Sequence, residues 1–253
     1  MIKTTNLCAG YSSGQILFDI NLEIPTGKIT VILGPNGCGK STLLKTFCGI
    51  LPVQSGAIHL GPDCLDTFTP KTLARQISYL AQSRQTGDIT VQRMVLHGRF
   101  PYLSYPRRYR ANDFQIAQDA MNRMGIADLA DAPIGTLSGG TRQKVYIAMA
   151  LAQDTPIILF DEPTTYLDIS HQLQMMEHAR FLSREGKTIV MVLHDISMAM
   201  QVADKIIVMD KGHVIEQGTP QTVYDSGFLD QVFGVKISRI QTSNGWHYYC
   251  ETP

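Results

Sequence analysis

The chain has no apolar run long enough to cross a bilayer. Its longest, such as Ile189-Val190-Met191-Val192-Leu193, has a strand's length, against the roughly 20 residues a membrane helix needs. Any membrane role is therefore expected to come through a partner. An excess of charge of either sign is missing as well. Twenty-two basic and twenty-two acidic residues cancel, so no global field draws nucleic acid or an anionic membrane. The five cysteines (Cys8, Cys38, Cys48, Cys64, Cys250) form no C-x-x-C pair and no metal-ligand spacing. That odd count follows a start, Met1-Ile2-Lys3-Thr4-Thr5-Asn6, without the apolar region of a signal peptide, and reduced thiols in a cytosol are expected. Repeats, low-complexity tracts and linkers are absent. Charged residues are scarce at 17%, but the 44% apolar share can supply a full core, so 253 residues fit one large domain or a core with an inserted subdomain.

What the chain does have is Gly34-Pro35-Asn36-Gly37-Cys38-Gly39-Lys40-Ser41, which fits G-x-x-x-x-G-K-[ST] at every constrained position. Before it, Ile29–Leu33 reads as a buried strand. After it, Ser41–Phe47 reads as a helix that Gly49 is placed to stop. Glycines let the backbone fold tightly around phosphates, with N–H groups and a helix N-terminus facing the negative charge. Lys40 then reaches the β- and γ-phosphates and the Ser41 hydroxyl binds Mg²⁺. The chain is expected to bind a nucleoside triphosphate.

Around that loop the sequence alternates strands and helices. Residues 2–33 read as strands Ile2–Leu7, Ile16–Ile24 and Ile29–Leu33, broken at Ser12-Ser13-Gly14 and Pro25-Thr26-Gly27. Tyr11, beside the first break, either stacks on an adenine ring or packs at a sheet edge. A strand from Ile58, a helix Pro70–Arg75 and a strand Ile77–Leu80 lead to Gln82 in a polar loop. Helices are expected over Thr90–His97 and Asp113–Met124, the latter with a core stripe of Phe114, Ala117, Met121 and Met124 and Gly125 as cap. The loop 98–110 carries four arginines and three tyrosines; in a neutral chain it reads as solvated or protein-contacting rather than as a nucleic-acid site. Leu137-Ser138-Gly139-Gly140-Thr141 opens a further helix, either as a plain N-cap or as an anion-facing one.

The second strong signal is Ile157-Ile158-Leu159-Phe160-Asp161-Glu162. A buried parallel strand here ends in two carboxylates, at the end of the sheet where ligands gather. Asp161 would organise Mg²⁺ and its water, and Glu162 would polarise the attacking water as general base. The strand Thr188–Leu193 brings His194 to the same edge, within reach of a γ-phosphate. A hairpin around Asp210-Lys211-Gly212, a helical stretch after Pro220, and two last strands, Lys236–Gln241 and Trp246–Cys250, complete the chain.

In this order the motifs resemble the ATP-binding subunits of ABC transporters, over essentially the whole chain. Gly34–Ser41, with Thr42 beside it, matches the Walker A loop, and Ile157–Asp161 the Walker B strand with Glu162 in the catalytic position. Leu137–Thr141 matches the signature, Gln82 the Q-loop glutamine, Tyr11 the A-loop aromatic, Asp168 the D-loop and His194 the switch histidine. One position departs: the signature usually ends in Gln, and here in Thr141.

The resemblance implies an α/β P-loop core of the ABC type with an N-terminal antiparallel β subdomain and an inserted α-helical subdomain. Residues 1–82 and 153–253 would form the nucleotide-binding core and 83–152 the helical signature subdomain. It implies hydrolysis of ATP with Mg²⁺, with Lys40, Gln82, Glu162 and His194 catalytic and Ser41, Gln82 and Asp161 at the metal. It also implies a head-to-tail homodimer in which Ser138, Gly139, Gly140 and Thr141 meet the partner's ATP, with Asp168 as the D-loop residue of the dimer. Permease subunits would hold the dimer at the cytoplasmic face of the membrane, with a solute-binding protein acting indirectly. Gly98–Tyr102 and Thr164–Gln172 are similar to importers of iron–siderophores, haem and vitamin B12, and the chain ends soon after Gly245 without a long regulatory domain. An iron–siderophore importer is the first expectation, haem or vitamin B12 the next, and a soluble ABC ATPase such as one of iron–sulfur assembly the outside alternative.

Overall fold

The computed structural model describes residues 1–81, 88–165, 167–243 and 245–251. β1 (Ile2–Tyr11) and β2 (Gly14–Ile24) pair antiparallel, so the first strand runs on past Leu7 and Tyr11 is its last residue. β3 (Ile29–Leu33) leads through the glycine-rich loop into α1 (Lys40–Phe47). β4 (Val53–Leu60), which starts five residues earlier than expected, returns to the free edge of β1, and β5 (Asp63–Cys64) completes a four-stranded antiparallel sheet.

α2 (Pro70–Leu73) starts at Thr69, whose side chain accepts the Thr72 N–H, and ends two residues short of Arg75. After β6 (Ile77–Leu80) come three helices that pack on one another: α3 (Val91–His97), α4 (Ala111–Arg123) and α5 (Gly139–Gln153). The inward stripe of α4 is Asp113, Ala117, Ala120, Met121 and Met124. Phe114, expected in the core, is 44% exposed and meets the Tyr109 ring edge-on. The reason is Asp113, which takes the inward place of the first turn because Arg99 draws it in: Arg99 Nε lies 3.2 Å from Asp113 Oδ1 with both side chains buried.

The chain then alternates: β7 (Ile157–Asp161), α6 (Ile169–Arg184), β8 (Thr188–Val192), α7 (Ile196–Val202) and β9 (Lys205–Asp210). β10 (His213–Gly218) folds back on β9 through Lys211 and Gly212, both at positive φ (45° and 83°), the mirror-image turn that matches the twist of a hairpin. α8 (Pro220–Ser226), α9 (Phe228–Phe233) and the hairpin β11 (Lys236–Thr242) with β12 (Gly245–Glu251) close the chain.

Six strands make the second sheet, in the order β10-β9-β3-β8-β7-β6, parallel except at β10. Because side chains alternate along a strand, this sheet separates two cores. Val31, Ile158, Phe160, Ile189, Met191, Ile206 and Val208 face the side of α4, α5 and α6. Ile32, Ile157, Leu159, Val190, Val192, Ile207 and Met209 face α1 and the antiparallel sheet. Asp161 continues the 157–159–161 row, so its carboxylate falls on the α1 side.

Candidate active site

The loop between β3 and α1 is shaped to receive an anion. Gly39, the N-cap of α1, has φ 106°, a backbone conformation in which any side chain is strained, and a Cβ there would also press on a Leu17 methyl at 2.8 Å. Among the described residues no hydrogen bond takes the backbone N–H of Gly39, Lys40 or Ser41. Donors left open at a helix start are the physical requirement for binding phosphate. Lys40 is 5% exposed, and its ammonium donates to the carbonyls of Gly34 (2.7 Å) and Pro35 (2.9 Å) within the loop. The Cys38 thiol lies 4.0 Å from that ammonium; burial pushes its pKa up, against the pull of the Lys40 charge, so it stays an inert thiol.

β7, one strand beyond β8, and its neighbour β6 deliver carboxylates and a phenol hydroxyl towards this loop. The Ser41 hydroxyl donates to Asp161 Oδ1 at 2.8 Å, and the Tyr79 hydroxyl to Asp161 Oδ2 at 2.8 Å. Glu162 follows immediately, with φ 51°, a left-handed conformation that a long side chain adopts at a cost of about 1–3 kcal/mol. That turn out of the strand carries its carboxylate to His194: Nε2 and Oε1 are 2.6 Å apart, and Thr165 Oγ1 holds Oε2 at 3.2 Å. Lys40, Ser41, Asp161, Glu162 and His194 are thus gathered at the ends of three adjacent strands. Tyr11 stands half-exposed beside α1, its hydroxyl 3.4 Å from Lys45 Nζ.

The other expected residues lie apart from this group. Ser138 is the N-cap of α5 and accepts the Thr141 N–H at 3.2 Å, while its hydroxyl and that of Thr141 are 2.9 Å apart. Gly140 packs so tightly on α6 that a Cβ would run into the His171 ring. No hydrogen bond among the described residues joins Ser138–Thr141 to the phosphate loop. Asp168 caps α6: the His171 amide, then the Ser170 and His171 side chains, hold its carboxyl down at about 2. Gln82 lies outside the described residues.

Oxygen donors alone, a serine hydroxyl and a carboxylate, converge where the loop would hold a β/γ-phosphate. Among the described residues there is no group of three or more His, Cys, Asp or Glu able to hold a metal by itself. That donor set fits Mg²⁺, which takes one or two protein oxygens and completes its shell from phosphate and water. Sequence reasoning missed Tyr79. It packs in the α1-side core, in register with Leu159 and diagonal to Asp161, and burial, reinforced by the carboxylate, pushes its phenol pKa well up. The alternation of Ile77 and Tyr79 held the clue to its face, but not which strand would lie alongside. The loop arginines were also misjudged in one case: Arg99 is 7% exposed and donates to the Ala152 carbonyl at 2.8 Å as well as pairing with Asp113.

Known proteins carry the same framework. A family model described as ABC transporter matches residues 17–165. The ferric enterobactin transport ATP-binding protein FepC of Escherichia coli is 40% identical over 237 residues, 93% of this chain and 88% of that protein. The iron(3+)-hydroxamate import ATP-binding protein FhuC of Bacillus subtilis is 42% identical over 236 residues, 92% of this chain and 88% of that protein. A solved chain from a transporter described as of the metal-chelate ABC type, inward-facing, superposes with a TM-score of 0.85 at 26% identity, over 99% of this chain and 97% of that one. The chain belongs to the ABC transporter family, among its import ATPases.

Proposed function

We propose that this chain is the ATP-hydrolysing subunit of an importer of iron chelates, acting as a dimer on a membrane permease. The observation that carries the reading is the split of the anion-binding parts. The phosphate loop, Asp161, Glu162 and His194 converge at one sheet edge, while Ser138 opens another helix without touching them. A second copy, placed head to tail, would bring its Ser138–Thr141 to the ATP held here. The division into a core of 1–82 and 153–253 and a signature subdomain of 83–152 belongs to the same reading.

In that complex Lys40 exchanges its two loop carbonyls for phosphate oxygens, and the amides of Gly39, Lys40 and Ser41 take the rest of the charge. Ser41 and Asp161 would hold Mg²⁺, which supplies charge neutralisation at the β/γ-phosphates when bound. Glu162 accepts a proton from the water that attacks the γ-phosphorus as the bond to the bridging oxygen breaks. His194 fixes the carboxylate that does so, by the 2.6 Å contact at Oε1.

The permease would sit on the face made by α2 and the 98–107 loop. Pro70, Lys71, Phe100, Pro101, Leu103, Tyr105 and Arg107 line a cavity of about 440 Å³, and a second, of about 500 Å³, adjoins it along Ile50, Phe68, Pro70 and Leu73. Phe100, Tyr105 and Ile50 are exposed there, an apolar rim suited to a helix from another protein. No helix of the described residues is long and apolar enough to cross a membrane, so the permease is what would hold the chain at the cytoplasmic face.

Reconstitution tests this. The chain, its permease and solute-binding protein in proteoliposomes should take up a radiolabelled ferric siderophore only with ATP and Mg²⁺. Uptake of haem or vitamin B12 in its place would reassign the cargo. Isolation only in a complex without any membrane protein would overturn the importer reading.

A further inference from the structure

We propose that Tyr79 is a positioning residue for the cation half of this site: its hydroxyl, donated to Asp161 Oδ2 at 2.8 Å, holds the carboxylate with Oδ1 turned to Ser41. The inference rests on the reading above that Ser41 and Asp161 serve a magnesium nucleotide, and adds a residue to it.

Three observations carry it. Asp161 is 4% exposed, so water cannot orient its carboxylate, and each of its oxygens takes one protein hydroxyl. The two hydroxyls are not equivalent. Ser41 stands on the phosphate loop and must also serve the ligand, whereas the Tyr79 hydroxyl, which among the described residues bonds Asp161, lies off that loop and can keep its bond throughout. Finally, the ring needs no hydroxyl for its packing. Tyr79 lies among Ile77, Leu159 and other apolar residues of the α1-side core, where phenylalanine would fill the same space. An oxygen placed there and aimed at the carboxylate is therefore spent on Asp161. Partners one bond behind a metal ligand fix its orientation, and their loss typically costs about 10–100-fold in metal affinity.

The test is Tyr79→Phe in the full-length chain. Binding of a fluorescent, non-hydrolysable ATP analogue is followed in EDTA and across a Mg²⁺ titration, and Mn²⁺ binding to the same complex is followed by electron paramagnetic resonance. We expect affinity for the analogue in EDTA to be unchanged, and the divalent concentration at half-saturation to rise about ten-fold. Tyr79→Leu should raise it by the same factor, since it lacks the hydroxyl too. An unchanged half-saturation in Tyr79→Phe overturns the proposal, as does a rise confined to Tyr79→Leu, which would mean that the ring alone matters. If the parent chain binds the analogue with no dependence on divalent ions, the underlying reading of Ser41 and Asp161 fails and the proposal falls with it.

Discussion

His194 Nε2 lies 2.6 Å from Glu162 Oε1, although the two residues come from different strand ends and are far apart in sequence. The contact is made possible by the left-handed backbone of Glu162 (φ 51°), which turns its side chain out of the line of β7 and towards the end of β8. A conformation of that cost persists where surrounding structure fixes it, and here Thr165 and His194 hold both carboxylate oxygens.

Replacing Glu162 by Gln keeps those contacts and the shape while removing the base. Turnover should fall by about 10²–10⁴-fold, the usual contribution of general-base catalysis, with ATP binding retained. The trapped species should run as an ATP-dependent dimer in size-exclusion chromatography. Parental turnover in the variant would refute the role of Glu162.

Lys40 offers a contrast, because its ammonium is part of the loop before any ligand arrives. Lys40→Ala removes two hydrogen bonds to Gly34 and Pro35 carbonyls together with the one buried positive charge seen in the loop. Nucleotide affinity and turnover should both drop at least ten-fold, read by equilibrium binding and by phosphate release. Retention of full affinity would count against phosphate binding by this loop.

Thr141, where the resemblance calls for glutamine, has a local consequence. A glutamine three residues after an N-cap serine can reach back to the serine's own backbone N–H, completing a capping box. Threonine is too short, and its hydroxyl sits instead 2.9 Å from Ser138 Oγ. The same hydroxyl pairing recurs at Thr69/Thr72 (3.0 Å) and Thr219/Thr222 (2.9 Å), the starts of α2 and α8. At Ser138 it also occupies the oxygen proposed to meet the partner's ATP. Thr141→Gln should therefore release Ser138 and let dimers form at lower ATP concentration, measured by light scattering in a Glu162→Gln background. Identical ATP dependence in the two forms would remove Thr141 from the account.

What the sequence made legible was whatever depends on neighbours along the chain. The eight residues from Gly34 to Ser41 fold one way because their glycines, lysine and serine leave little choice, and the run Ile157–Asp161 could only be a buried strand. His194 was placeable because two parallel strands of similar length end at one edge. Contacts across the sheet were not legible. Tyr79 became meaningful only when β6 proved to be the neighbour of β7, and Phe114 was placed inward because nothing local shows that Arg99 would pull Asp113 into that position. A buried ion pair between a loop and a helix is invisible to periodicity.

That pair gives the last test. The Arg99 guanidinium lies 3.9 Å from the centroid of the Tyr102 ring, donates to the Ala152 carbonyl, and pairs with Asp113; Tyr102 in turn donates to the Gln153 carbonyl at 2.9 Å. Gln153 itself donates to the Ala74 carbonyl at 2.7 Å, so the C-terminal end of α5 is tied both to the 98–107 loop and to the segment between α2 and β6. Arg99→Met would leave the Asp113 carboxylate buried without its cation, a loss of about 3–5 kcal/mol. Asp113→Asn with Arg99→Met should cost less than Arg99→Met alone, because the uncompensated charge is gone. Chemical denaturation checks the stability term, and permease binding in detergent checks the functional one. Nucleotide binding, which uses other residues, should survive at temperatures where the variant stays folded, while association with the permease weakens. A stability change for Arg99→Met of less than about 0.5 kcal/mol, the scale of an ordinary surface substitution, would show that the pair does not hold the loop.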